Sequence, residues 1–344
     1  MSSIVKLESI SKIFSRGFFR KRVIWALREV TLEIRRKQII SLVGESGSGK
    51  TTLGKIITSL IMPTYGRVSW EDVTVIENGR IVDPDLFKKY KNRYIYVHQD
   101  PYTALNPSKN VWSTLKPVMD KYMPHAGEAD KYKYAKELLE EVGLVPPEYF
   151  MDKYPHHLSG GMKQRLMLAR ALIVDPYLIV TDEIVSMVDP SIRVSIINLL
   201  KDLVKGRSIS IVFISHDLGV AAYAAEDNPM YVMLKGVVVE AGPAYEILSS
   251  PKHPYTRALI SNIPIPIPPR NRIVRDLTEI ILESERNIKR ESICPFASLC
   301  PLYDNTCNSL TLKDYKKINQ EHISLCVKAD KLPQWSPKWY EEVL

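Results

Sequence analysis

The octapeptide Gly44-Glu45-Ser46-Gly47-Ser48-Gly49-Lys50-Thr51 fits the pattern G-x-x-x-x-G-K-[ST] without a mismatch, and that pattern works only as a loop between a strand and a helix. The glycines let backbone N–H groups turn inward around phosphate oxygens. Lys50 brings a positive charge to the terminal phosphates, and the Thr51 hydroxyl is placed for a magnesium ion. The flanks agree: Gln38 to Val43 reads as a short buried strand, and Gly49 to Leu60 as a helix whose N-terminal dipole faces the phosphates. The expectation is an α/β fold holding a nucleoside triphosphate on Gly44, Ser46, Gly47, Ser48, Gly49, Lys50, Thr51 and Thr52.

A second element belongs with such a loop. The run Tyr177-Leu178-Ile179-Val180-Thr181 suits a central parallel strand, and it ends in two carboxylates, Asp182 and Glu183. Asp182 would hold Mg²⁺ with Thr51, directly or through water, while Glu183, one residue further, can reach the water aligned on the γ-phosphate. A pair of solvated loop acids is the alternative that the strand alone leaves open.

The chain has 344 residues, a length that suggests about two domains. It contains no apolar run of about 18 residues or more, and its first residues lack the basic-then-apolar layout of a secretory signal, so it is expected to work in the cytosol without spanning a membrane. The net charge of +8 is concentrated partly in Arg16, Arg20, Lys21 and Arg22 and in Arg35-Arg36-Lys37. These runs read as solvated edges beside a site that itself needs positive potential; without interleaved aromatic motifs, no nucleic-acid partner is expected.

Strand-like and helical patterns alternate up to Val239, which places residues 1–240 in one α/β unit. Within it, about 105–165 turns helical: Tyr134, Leu138, Leu139 and Val142 recur at helical spacing before Gly143. After Gly242 the texture becomes proline-rich, from Ile263 to Pro269, and then passes to a tail that carries every cysteine in the chain. Residues 241–344 are therefore expected to form a small extension.

Leu158-Ser159-Gly160-Gly161-Met162-Lys163-Gln164-Arg165, just upstream of the acidic strand, resembles the signature of the ATP-binding cassette superfamily. Ser159 with Gly160 and Gly161 at a helix start makes a capped anion site. The resemblance implies a P-loop NTPase core with a mostly parallel sheet, an antiparallel β subdomain and a helical insertion. It implies that Gln99 touches Mg²⁺ and the attacking water, that Asp189 in Ser186-Met187-Val188-Asp189 belongs to the D-loop, and that His216 contacts the γ-phosphate. It also implies an aromatic stacked on adenine, for which Phe14 is first choice and Phe18, Phe19 and Trp25 compete. Because the signature completes the site of an opposing subunit in that family, a second ATPase subunit, identical or paralogous, is implied. The chain departs from the family at Ile184-Val185, where many members carry Pro-Thr.

Two further blocks are similar to oligopeptide and dipeptide importers of the peptide/nickel branch: Gln99-Asp100-Pro101 with Leu105-Asn106-Pro107, and Gly242-Pro243 followed by His253-Pro254-Tyr255-Thr256. They imply an ATPase at the cytoplasmic face of the cell membrane, attached to transmembrane permease subunits that receive solute from an extracellular binding protein. Oligosaccharides and nickel are the other solutes of this branch. A soluble cassette protein acting on nucleic acid or ribosomes is the reading from another class.

The cysteines follow Cys294-x5-Cys300-x6-Cys307-x18-Cys326. Four thiolates suit a 4Fe-4S cube or a tetrahedral Zn²⁺ equally in number, and unliganded thiols are a third option. Resemblance to the C-terminal motif of importer ATPases favours the 4Fe-4S cluster, with Zn²⁺ as the alternative; His322 reads as a packing residue beside it.

Overall fold

The computed structural model describes residues 2–16, 22–261 and 293–332; Phe18, Phe19, Arg20, Lys21 and the proline-rich run from Ile263 to Pro269 lie outside them. In chain order the strands are β1 (Ser3–Arg16), β2 (Arg22–Arg35), β3 (Ile39–Val43), β4 (Tyr65–Trp70), β5 (Val73–Glu77), β6 (Arg80–Ile81), β7 (Tyr94–Val97), β8 (Leu178–Asp182), β9 (Ser210–Ser215), β10 (Pro229–Leu234), β11 (Val237–Pro243), β12 (Lys316–Lys317) and β13 (Ile323–Ser324). They form a five-stranded antiparallel sheet in the order β2-β1-β4-β5-β6 and an eight-stranded sheet in the order β12-β13-β11-β10-β3-β9-β8-β7.

In the larger sheet β7, β8, β9, β3 and β10 run parallel. Every residue of β3, β8 and β9 is buried, as strands covered on both faces require, which is why they read as unbroken apolar runs. Alternate residues serve two cores. Ile39, Val43, Ile179, Ile211 and Phe213 face the helical side, while Ile40, Leu42, Val180, Val212 and Ile214 join the core shared with the antiparallel sheet. The parallel sheet is thus the common wall of both layers.

Between β7 and β8 come the helices Val111–Tyr122, Glu128–Glu141, Pro147–Met151 and Gly160–Leu172. Ala135, Leu138 and Leu139 are the buried stripe of the second, matching its expected period. The helix after the phosphate-loop motif is shorter than expected: it spans Lys50–Ile57 and stops where Thr58 turns its hydroxyl onto the Gly54 carbonyl.

Among the described residues, those of the C-terminal extension join the α/β unit's own sheet and core. β11 runs through residue 240 and pairs with β13 antiparallel, and Leu325 N–H donates to the Val239 carbonyl at 2.8 Å. Phe296, Leu310, Leu312 and Leu325 enter the helical-side core. A segment this short buries too little surface alone and gains by extending an existing sheet. Among the described residues no helix is long and apolar enough to cross a membrane.

Candidate active site

The phosphate-loop motif sits between β3 and the helix Lys50–Ile57, as its chemistry requires. Gly49 caps that helix at φ 105°, and Gly44 stands at φ 142°. A Cβ on Gly44 would fall 2.1 Å from the Met233 carbonyl oxygen, and one on Gly49 would fall 2.6 Å from that of Ala26. Only glycine lets the loop pass so close to the neighbouring backbone. The Lys50 ammonium is folded back onto this loop, donating to the carbonyls of Gly44 at 2.6 Å and Glu45 at 2.8 Å. Burial lowers its pKa, and the carboxylates of Glu183, Asp182 and Glu45 pull it back up. Ser46 and Gly47 are exposed at the loop tip, Ser48 is buried beneath it, and Thr51 and Thr52 open the helix.

Asp182 and Glu183 divide at the end of β8. Asp182 is buried, and its Oδ2 accepts from the Thr51 hydroxyl at 2.8 Å and from the Tyr96 hydroxyl. Glu183, at φ 48°, points elsewhere: its Oε2 accepts from Gln99 Nε2 at 3.4 Å and lies 3.2 Å from His216 Nδ1. Gln99 follows β7, Glu183 follows β8 and His216 follows β9, three strands adjacent in the sheet and parallel. Their C-terminal ends converge where ligands bind in open α/β sheets. Residues spread over more than a hundred positions of sequence thereby meet at one carboxylate oxygen.

Ser159 caps the helix Gly160–Leu172, its hydroxyl accepting from Met162 N–H at 3.3 Å. It is exposed, and among the described residues it makes no hydrogen bond to the 44–51 loop. A Cβ on Gly160 would lie 3.5 Å from the Met187 carbonyl, so this turn packs on the segment leading to Asp189. Asp189 is exposed ahead of the helix Pro190–Arg207. The helix behind Ser159 also holds the segment around Gln99: Gln164 donates to the Gln99 carbonyl at 3.4 Å, and Lys163 Nζ lies 3.8 Å from the centre of the Tyr102 ring.

Phe14 is 41 % exposed on β1, with Lys12 Nζ 5.2 Å from its ring centre. Trp25 pairs with Ile13 across the sheet, one position out of step with Phe14, and lines a pocket with Ile293 and Leu312. The pleat therefore puts these two aromatics on opposite faces.

Cys294, Cys300, Cys307 and Cys326 line one small cavity of about 20 Å³, walled by Phe296 and His253. Burial above all, with smaller contributions from the charges of Cys300 and Cys307, pushes the Cys294 thiol up to about 12 and Cys326 up to about 11. Soft sulfur donors converge, yet among the described residues no group of three or more His, Cys, Asp or Glu side chains stands close enough together to hold a metal ion. His322 lies apart from this cavity, between Glu240 at 2.7 Å and Glu246 at 3.2 Å.

Two site neighbours escape a reading of the sequence. Tyr96 stands three residues before Gln99 on β7, and the alternation of that strand is the only signal that it faces Asp182. Tyr255 lies in the His253-Pro254-Tyr255-Thr256 block, yet its hydroxyl accepts from the Glu45 N–H of the phosphate loop at 3.3 Å. A groove next to Gln99, lined by Tyr96, His98, Lys121, Tyr122 and Arg170, opens between the parallel sheet and the helical insertion.

A family profile described as "ABC transporter" matches residues 27–186, and one described as "Oligopeptide/dipeptide transporter, C-terminal region" matches 239–307. The chain is 33% identical over 313 residues to the oligopeptide transport ATP-binding protein OppF of Haemophilus influenzae, covering 90% of this chain and 91% of that one. It is also 33% identical over 309 residues to the OppF of Escherichia coli, covering 89% of each. Among solved structures, the dimeric structure of MJ0796, a bacterial ABC transporter cassette, superposes with a TM-score of 0.60 at 30% identity, over 70% of this chain and 99% of that one. The same cassette, in a post-hydrolysis state bound to ADP and Pi, superposes equally well.

Proposed function

Because this chain belongs to the peptide-importer branch of the ABC transporter ATPases, we propose that it hydrolyses ATP to drive uptake of peptides or related solutes through a membrane permease. The observation that carries the reading is the meeting of Gln99 and His216 on one oxygen of Glu183, beside an Asp182 bonded to Thr51.

In this reading Lys50 exchanges its two loop carbonyls for phosphate oxygens of ATP. The N–H groups from Gly47 to Thr52 supply the remaining cradle. Thr51, Asp182 and Gln99 offer the hard oxygen donors that suit Mg²⁺, whose charge offsets that of the phosphates when it is bound. Glu183, oriented by Gln99, accepts a proton from the water that attacks the γ-phosphorus, and the bond to the ADP oxygen breaks in line. His216 hydrogen-bonds the γ-phosphate. Phe14 stacks on adenine. The turn of Ser159, Gly160 and Gly161, with Asp189, completes the site of a second ATPase subunit, Ser159 and Asp189 being exposed, and the groove beside Gln99 receives a helix of the permease. The protein would sit at the cytoplasmic face of the membrane, with an external solute-binding protein delivering cargo. Residues 1–240 act as the ATPase unit and 241–344 as the importer-type extension.

The four cysteines, lining one cavity, are read as the seat of a 4Fe-4S cluster, with Zn²⁺ as the alternative; four thiolates suit either in number and softness, although among the described residues no three of these side chains stand close enough together to hold a metal ion. Anaerobically purified protein should carry iron, acid-labile sulfide and absorbance near about 400 nm. Zinc without colour would select the alternative, and neither metal would reject both.

The decisive test of the ATPase reading is Glu183→Gln. It should retain ATP binding while steady-state hydrolysis falls by about 100-fold or more. Undiminished turnover would remove Glu183 from the role of base.

A further inference from the structure

We propose that Tyr255 is a positioning residue of the nucleotide site, a strut that ties the mouth of the phosphate loop to the wall of the four-cysteine cavity. Its hydroxyl accepts from Glu45 N–H at 3.3 Å, and the Glu45 carbonyl accepts from the Lys50 ammonium at 2.8 Å. The residue that Tyr255 holds is therefore one of those that hold Lys50. At its other end the Tyr255 ring packs on Phe296, with centroids 5.6 Å apart, and Phe296 walls the cysteine cavity. Its own N–H donates to His253 Nδ1 at 3.1 Å, which leaves the His253 Nε2–H to face Cys294 Sγ at 3.6 Å. The segment cannot easily slip, because Glu240 accepts from the N–H groups of both Lys252 and His253. Tyr255 is 2% exposed, so a shift of the cavity wall has little route around it.

The strut rests on the ATPase reading only in taking residues 44–51 as the nucleotide loop. Tyr255→Phe keeps the ring and removes the acceptor. In the full chain it should raise the Kd for ATP about 5-fold and speed amide exchange at Glu45, with melting close to wild type. Cys300→Ser, which alters the cavity without touching the loop, should also weaken ATP binding, but should add nothing in a Tyr255→Phe background. Unchanged exchange at Glu45 and unchanged ATP affinity in a natively melting Tyr255→Phe would overturn the strut, and purely additive effects with Cys300→Ser would overturn its link to the cavity. A wild-type chain that binds no ATP would remove the ATPase reading, and exchange at Glu45 would still decide the strut.

Discussion

At the scale of single residues, the site is governed by how closely backbones approach. Gly44 passes against the Met233 carbonyl in a conformation that L side chains rarely adopt. Gly44→Ala meets both the overlap and the unfavourable φ, so it should destabilise the protein by about 2 kcal/mol or more and abolish ATP binding. Thermal melts and calorimetry read the two effects separately, and a native melt with native affinity would contradict the geometry. The two carboxylates side by side are distinguished in the same way. Asp182 accepts from the Thr51 and Tyr96 hydroxyls on Oδ2, whereas Glu183 is turned by its positive φ toward Gln99 and His216. Burial and the charge of Asp182 raise the Tyr96 pKa, so the phenol stays protonated and remains a donor.

Among the elements, the ends of β7, β8 and β9 assemble the reactive cluster, and the edge at β11 anchors the extension. That edge contains a buried ionisable set. Glu240 is fully buried and spends its oxygens on His322 and on the N–H groups of Lys252 and His253. His322→Ala would remove a side-chain partner of that buried carboxylate, a change that typically costs about 1–3 kcal/mol. Urea melts should show a loss of that order, and limited proteolysis should cut the 293–332 segment first. A variant as stable as wild type would mean that Glu240 finds its compensation in the two backbone donors alone. The same edge explains why Tyr255 can reach the phosphate loop, since β10 carries β11 beside β3 in one sheet.

For the whole molecule, the described residues hold the phosphate-loop motif and the Ser159 turn apart, with no hydrogen bond between them, as the proposed pairing of two subunits requires. The turn lies beside the Met187 segment, and Ser159 is exposed to solvent. Glu183→Gln loaded with ATP should therefore form a dimer with itself or with its paralogue. Adding Ser159→Arg should abolish that dimer while leaving the Kd of the single chain for ATP within about 2-fold. Sedimentation velocity measures the first and calorimetry the second; a dimer that survives the arginine would move the interface elsewhere.

Sequence alone settled what depends on local chain chemistry. The spacing of Gly44, Gly49 and Lys50, the apolar run ending in Asp182 and Glu183, and the serine before Gly160-Gly161 each encode a loop or cap within a few residues, because glycine freedom and hydroxyl capping act at that range. Periodicity likewise marked the helix around Leu138, though not where the helix after Lys50 would stop. Fold alone decided which distant groups touch. That Gln99 and His216 share one oxygen of Glu183, that Tyr96 serves Asp182 and that Tyr255 grips Glu45 follow from strand order in a sheet, which no local pattern specifies. The cysteines show both sides: their clustering was legible from spacing, but their wall, shared with a tyrosine bound to the phosphate loop, exists only because the tail adds its strand to the core sheet.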